Sequence, residues 1–149
     1  MTIGKLIISF AVFISIALFE NTNPKLLKVI LLGFILSFIS SFFDRDFLFD
    51  ISFLSFGFLV LIFLIYNIIN KKWLPTLIAL PILVLFIFKT QYWSYLSEIQ
   101  TAMFIPVITY MIIIKNYKTY KNQIAILTIL VAFAISEIIR LADYMMAAN

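Results

Sequence analysis

Glu137, Arg140 and Asp143 recur at intervals of three residues inside "ISEIIRLADYMM", a stretch otherwise apolar enough to lie in lipid. On a helix that spacing puts them on one face, with Tyr144 an alternative to Asp143 as its third member. Arg140 and Asp143 lie near the end of the run and can snorkel outward. Glu137 sits deeper, roughly two turns from the helix end. An unpaired carboxylate there is costly, so Glu137 is expected to be protonated or paired with Arg140. An ionisable group at such depth marks a functional site or an ion pair that anchors the last helix, and periodicity weighs the two evenly.

A second set of acids stands in "FFDRDFLFD", with Asp44, Asp46 and Asp50. Its simplest reading is a solvated acidic loop. Its functional reading is a cluster that draws cations to a pore mouth or a lipid headgroup. It lacks the Gly and the bidentate Glu of a calcium loop, so no metal site is expected.

The rest of the composition narrows the chemistry. There is no Cys and no His, which removes thiolate nucleophiles, disulfides, His metal sites and Ser-His-Asp triads. Carboxylates, Arg, Lys, Tyr, Ser and Thr must carry any reaction, and nothing in the pattern calls for a cofactor. The net charge of +4 comes with no dense basic stripe interleaved with aromatics, so nucleic acid is not an expected partner.

These residues need elements to hold them, and the hydropathy says which. The chain is 64% hydrophobic and 12% charged, with seventeen Phe, and its mean hydropathy is +1.14. That excess calls for lipid as solvent. The expected fold class is all-α, one transmembrane helical domain over residues 1–149 built as a polytopic helix bundle. Six apolar runs are bounded by polar or turn residues: Ile3–Phe19, Leu27–Phe43, Phe47–Ile69, Leu74–Phe88, Tyr95–Ile114 and Gln123–Met146. Several approach the short limit of about 17 residues for crossing a core about 30 Å thick. The fourth is short and carries Pro75 and Pro81, which leaves five spans as the alternative count. Pro106 is expected to kink the fifth run and free a carbonyl.

Charge sorts by side. The first, third and fifth breaks hold Lys25, Lys28, Lys71, Lys72, Lys115, Lys118 and Lys121 against Glu20. Lys5, Arg45, Lys89 and Arg140 fall on the other side with every remaining acid. The positive-inside rule then places the Lys-rich breaks in the cytoplasm and both termini outside. The first run is expected to be a retained helix, because no A-x-A-like cleavage site follows it. The expected location is a membrane crossed several times, of the bacterial inner-membrane kind.

Small residues Gly33, Ser37 and Ser41, with Ser40 beside them, form a ridge on the second run. Such a ridge lets a neighbouring helix approach closely, and packing is its simplest role. Tyr66, Asn67, Thr109 and Tyr110 add polar groups further along.

The runs "PKLLKVILLGFILSFISS", "FLSFGFLVLIFLIY", "WLPTLIALPILV", "FIPVITYMIII" and "VAFAISEIIRLAD", in that order and spacing, resemble the lysoplasmalogenase (YhhN-like) family of multispanning membrane proteins. The resemblance covers most of the chain through motifs that are apolar and individually weak. It implies a helix bundle, here without an initial and a final helix, that hydrolyses the vinyl-ether bond of lysoplasmalogens and releases a fatty aldehyde. The family's Gly-Asp pair falls on Ser40-Ser41, and reaching Asp44 takes a one-turn slip. Its His before a Tyr falls on Phe63 before Tyr66. Its later Pro-Val and Tyr-Met stand as Pro106-Val107 and Tyr110-Met111, and its Ser-Asp becomes Ser136-Glu137.

The resemblance therefore implies Glu137 and Asp44 as catalytic acids. One would protonate the enol-ether carbon, and the other would activate water or stabilise the oxocarbenium-like cation. Tyr66, Tyr110, Ser41 and Arg140 are the implied lipid or substrate contacts. At most one acid stays in register, lengthened by a methylene, so a non-catalytic relative that binds a membrane lipid or lysolipid is an equal expectation. The alternatives are a homo-oligomeric channel or effector, its pore lined by the second helix and its cations selected by Asp44 and Asp46, and an accessory subunit.

Overall fold

The computed structural model describes residues 3–19, 25–40, 46–90, 96–121 and 123–148. They form helices α1 (Ile3–Ala17), α2 (Lys25–Ser40), α3 (Asp46–Ile69), α4 (Trp73–Thr90), α5 (Leu96–Thr101), α6 (Phe104–Lys115), α7 (Tyr117–Tyr120) and α8 (Ile124–Ala148), with no strand among the described residues. Ser41 and Asp44 lie outside the described residues.

The apolar runs became helices within a few residues of their expected limits, with one exception. The fifth run is broken in two at Ala102 and Met103. Pro106 explains the place. It has no N–H to give to the carbonyl four residues earlier, which is that of Ala102. Ile105 N–H takes that carbonyl instead at 3.0 Å, and Met103 N–H takes Gln100 O at 3.1 Å, so the chain tightens into a turn and restarts. Pro81 sits inside α4 without ending it.

The turn after α3 is a Schellman closure. Lys71 adopts φ 56°, Lys71 N–H reaches Ile68 O at 3.2 Å, and Lys72 N–H reaches Asn67 O at 2.9 Å. Glycine usually holds that left-handed position.

Two ends of the bundle can be told apart by contacts. At one, the Ser15 hydroxyl lies 2.8 Å from Ala11 O and 2.9 Å from Ala125 O, tying the end of α1 to the start of α8. Lys72 lies over the Tyr120 ring there, and Lys28 over that of Phe19. At the other end the Ser52 hydroxyl on α3 donates to Ser37 O on α2. Lys89 of α4 and Gln100 of α5 meet Glu137 at this end. The lysines of the first, third and fifth breaks thus flank one end, and the deep acid belongs to the other.

Helix α8 is the hub, packing against α1, α2, α4, α5 and α6. Its span is 67% buried, against 33% for the span in α3 and 22% for that through α5 and α6. Small side chains at Ala125, Ala132 and Ala134 admit these neighbours. The ridge on α2 serves packing against α3: a Cβ on Gly33 would stand 2.7 Å from a Leu59 methyl. On α3, the Phe86 ring of α4 lies directly on Gly57.

The outer surface is apolar, with Phe10, Phe13, Phe58, Ile69 and Met111 all exposed. A water-soluble protein rarely shows such an extended apolar exterior. Among the described residues three segments are long and apolar enough to cross a membrane, Asp50–Ile69, Glu98–Lys115 and Ile124–Ala147, and Leu6–Ala17 and Trp73–Lys89 are shorter apolar helices. The chain is thus an all-helical bundle with the character of a membrane protein.

Candidate functional site

Glu137 lies just past the middle of α8 and is 1% exposed. Three side chains converge on its carboxylate. Lys89, in the last turn of α4, forms a salt bridge and hydrogen bond to Oε1. Gln100 of α5 donates from Nε2 to Oε2 at 3.0 Å. Arg140, one turn along α8, brings Nη1 to 3.6 Å from Oε1. Both carboxylate oxygens therefore already accept, which is what a carboxylate buried away from water requires. The expected pairing with Arg140 is present as the outer of two ion pairs, and Lys89 makes the closer one.

Local structure explains how the cluster is held. Lys89 extends from the C-terminal turn of α4, where a cation also complements the helix dipole. Its ammonium lies 5.8 Å from the Phe133 ring centre, in cation–π range. Gln100 is brought in by the short helix α5, which the break before α6 lets turn toward α8.

Lys89, Glu137 and Arg140, but not Gln100, form one wall of a cavity of about 190 Å³ between α1, α2, α3, α4 and α8. Its apolar wall is largely aromatic, from Phe34, Phe38, Phe53, Phe56 and Phe133, with Ile8 and Ile129 beside them. These rings brace one another: Phe34 and Phe56 meet edge to face at 5.4 Å, and Phe56 and Phe133 are tilted at 4.9 Å. Ser37, Ser52 and Ser136 also line it. The Ser52 hydroxyl donates to Ser37 O, and that of Ser136 to Phe133 O at 2.7 Å, so both are engaged with backbone. Arg140 reaches the outside with 68% of its side chain exposed, while Glu137 and Lys89 remain inside. The space is thus apolar along its length and ionised at the outward end.

Of the residues expected at a site, Glu137 and Arg140 meet here. Tyr66 and Tyr110 do not line this cavity. Tyr66 packs, half-buried, against the core near the Lys-rich end of α3, and the Tyr110 hydroxyl is 2.7 Å from Thr128 Oγ1 on α8. Asp44 and Ser41 fall outside the described residues, as does the side chain of Asp46. Among the described residues no three His, Cys, Asp or Glu side chains gather as a metal set.

Sequence reading missed Lys89 and Gln100. Lys89 had a signal, since it closes an apolar run on the same side as Glu137. Gln100 had none, because its reach depends on the break that separates α5 from α6. Comparison with protein-family models, with curated proteins and with solved structures finds no match to this chain.

Proposed function

We propose that this chain is a multi-pass membrane protein that takes a single-chain lipid into the cavity beside α8. The acyl chain lies along the Phe wall and the headgroup meets Lys89, Glu137 and Arg140. The observation that carries this reading is the cavity's polarity, aromatic along its length with one ionised cluster at its outward end. Pockets for small ligands have this form, a mostly apolar lining with a few converging polar groups. In this reading the bundle crosses the bilayer six times, with the shorter α1, α2 and α4 accommodated by local thinning. Its Lys-rich end faces the cytoplasm, as in a bacterial inner membrane.

A hydrolytic reading of the same cavity follows from the resemblance to lysoplasmalogenases. A proton added to the enol-ether carbon leaves an oxocarbenium ion. Water then adds at the cationic carbon and loses a proton, and the hemiacetal collapses to fatty aldehyde and the glyceryl hydroxyl. Glu137, whose two oxygens are held as acceptors, suits stabilising the cation rather than giving the proton. Delivery of the proton falls to Asp44 in this reading.

Two measurements on protein purified in a neutral detergent separate the readings. Organic extraction and mass spectrometry should find a lysolipid or fatty acid, and Ile8→Trp, which fills the cavity beside Phe34, should lose it. A lipid-free wild type that also takes up no added lysolipid would sink the binding reading. Aldehyde release from a lysoplasmalogen, abolished in Glu137→Gln, would add the hydrolytic reading, and its absence from folded protein would remove it.

A further inference from the structure

The ionised cluster carries two cations against one carboxylate, and the two cations differ in what they have left to give. Lys89 is committed to Glu137 Oε1 and to the Phe133 face. Both Glu137 oxygens already accept, Oε1 from Lys89 and Oε2 from Gln100. Arg140 stands 3.6 Å from Oε1 through one nitrogen, beyond hydrogen-bonding distance, and most of its side chain is exposed on the rim of the cavity. A guanidinium presents five N–H donors in a planar fork suited to carboxylate or phosphate oxygens. The charged residues that line the cavity are Lys89, Glu137 and Arg140, so its lining carries a surplus of one positive charge, and Asp143, one turn beyond Arg140 on α8, is not part of that lining.

A zwitterionic or uncharged headgroup would leave that surplus uncompensated at the edge of a low-dielectric wall. A choline or ethanolamine head would also bring a further cation against Arg140 and Lys89. An anionic head completes the cluster: Glu137 orients Lys89 inward, and Arg140 closes on the ligand's oxygens.

We propose that the occupant is an anionic single-chain amphiphile whose carboxylate or phosphate is bound by Arg140. This assignment rests on the lipid-binding reading above. It selects within that reading by charge, since a fatty acid and a lysophosphatidate present the same anionic oxygens.

The test is equilibrium binding to the full chain in maltoside detergent of four ligands with one palmitoyl chain: palmitate, lysophosphatidate, lysophosphatidylcholine and monopalmitoylglycerol. At least one of the two anions should bind about tenfold more tightly than the other two ligands, the size of one charge-assisted hydrogen-bond pair. Arg140→Gln, at an exposed position, should bring that ratio to within about threefold. Lys118→Gln removes the same charge from the opposite end and should leave the ratio intact. A preference for palmitate alone or lysophosphatidate alone supports the assignment and identifies the oxygen donor.

Equal affinity for all four ligands, tighter binding of lysophosphatidylcholine, or a ratio unchanged in Arg140→Gln would overturn the anionic assignment while the lipid reading stood. A ratio lowered equally by Lys118→Gln would overturn it too, since the preference would then belong to the overall charge. Binding of none of the four would remove the lipid reading itself.

Discussion

Removing Lys89 leaves the buried Glu137 carboxylate with only Gln100 and the more distant Arg140, and removing Glu137 leaves the Lys89 ammonium without its counter-ion. Removing both takes the charges out of the apolar wall together. Lys89→Ala should therefore cost about 3–5 kcal/mol of stability, while Lys89→Met with Glu137→Met should recover most of the loss. Arg140→Gln, at an exposed guanidinium, should cost at most about 1 kcal/mol. Equilibrium unfolding by dodecyl sulfate titration checks all three, and a double variant no more stable than Lys89→Ala would show that the ion pair does more than neutralise. Glu137 was legible in the sequence because an acid within an apolar run is expensive and therefore conspicuous. Its partner was less so. Arg140 is its neighbour by helical spacing, but the closer cation lies 48 residues away on α4, and no periodicity reports a contact made only by packing.

At the scale of elements, two positions test how the helices are closed and packed. Lys71 holds a left-handed φ of 56° at the C-terminus of α3, where a Cβ is penalised. Lys71→Gly should raise stability by about 0.5–1 kcal/mol, read by the same titration. Gly57 meets the Phe86 ring so closely that a Cβ would come within 2.2 Å of it, and that ring is itself packed on Phe53 at 4.7 Å. Gly57→Val should cost about 1–3 kcal/mol as α3 and α4 are forced apart, and a neutral result would show that Phe86 has room to swing away. Helix limits could be read from the sequence because run length and bounding polar residues are local properties. The break in the fifth run was legible only as a proline. Its effect falls at Ala102 and Met103, where the displaced hydrogen bond is, and this displacement is what delivers Gln100 to Glu137.

For the whole molecule, contacts at the two ends of the bundle agree with the charge segregation of the sequence, and orientation in a membrane follows as a testable expectation. The chain has no cysteine, so single substitutions report cleanly. In intact cells a membrane-impermeant maleimide should label Asp143→Cys and reach Lys118→Cys only after permeabilisation. The reverse pattern would invert the topology, and labelling of both from outside would break it. The cavity was the part of the molecule least visible in the sequence. Its wall is assembled from rings on α2, α3 and α8 that read individually as ordinary apolar residues, and only their convergence beside Glu137 distinguishes them.

The hub position of α8 also has a consequence in time. A ribosome makes α1 through α7 before the helix on which most of them pack. Lys89 is synthesised 48 residues ahead of the carboxylate that neutralises it, an interval of roughly 2–10 s at ordinary elongation rates. Until α8 emerges, the earlier helices have only part of their final partners, and Lys89 must stay near the headgroups or be shielded by the insertion machinery. Assembly is therefore gated by the arrival of one helix, and slowing translation just before Ile124 should lengthen the exposure of the nascent chain to membrane proteases.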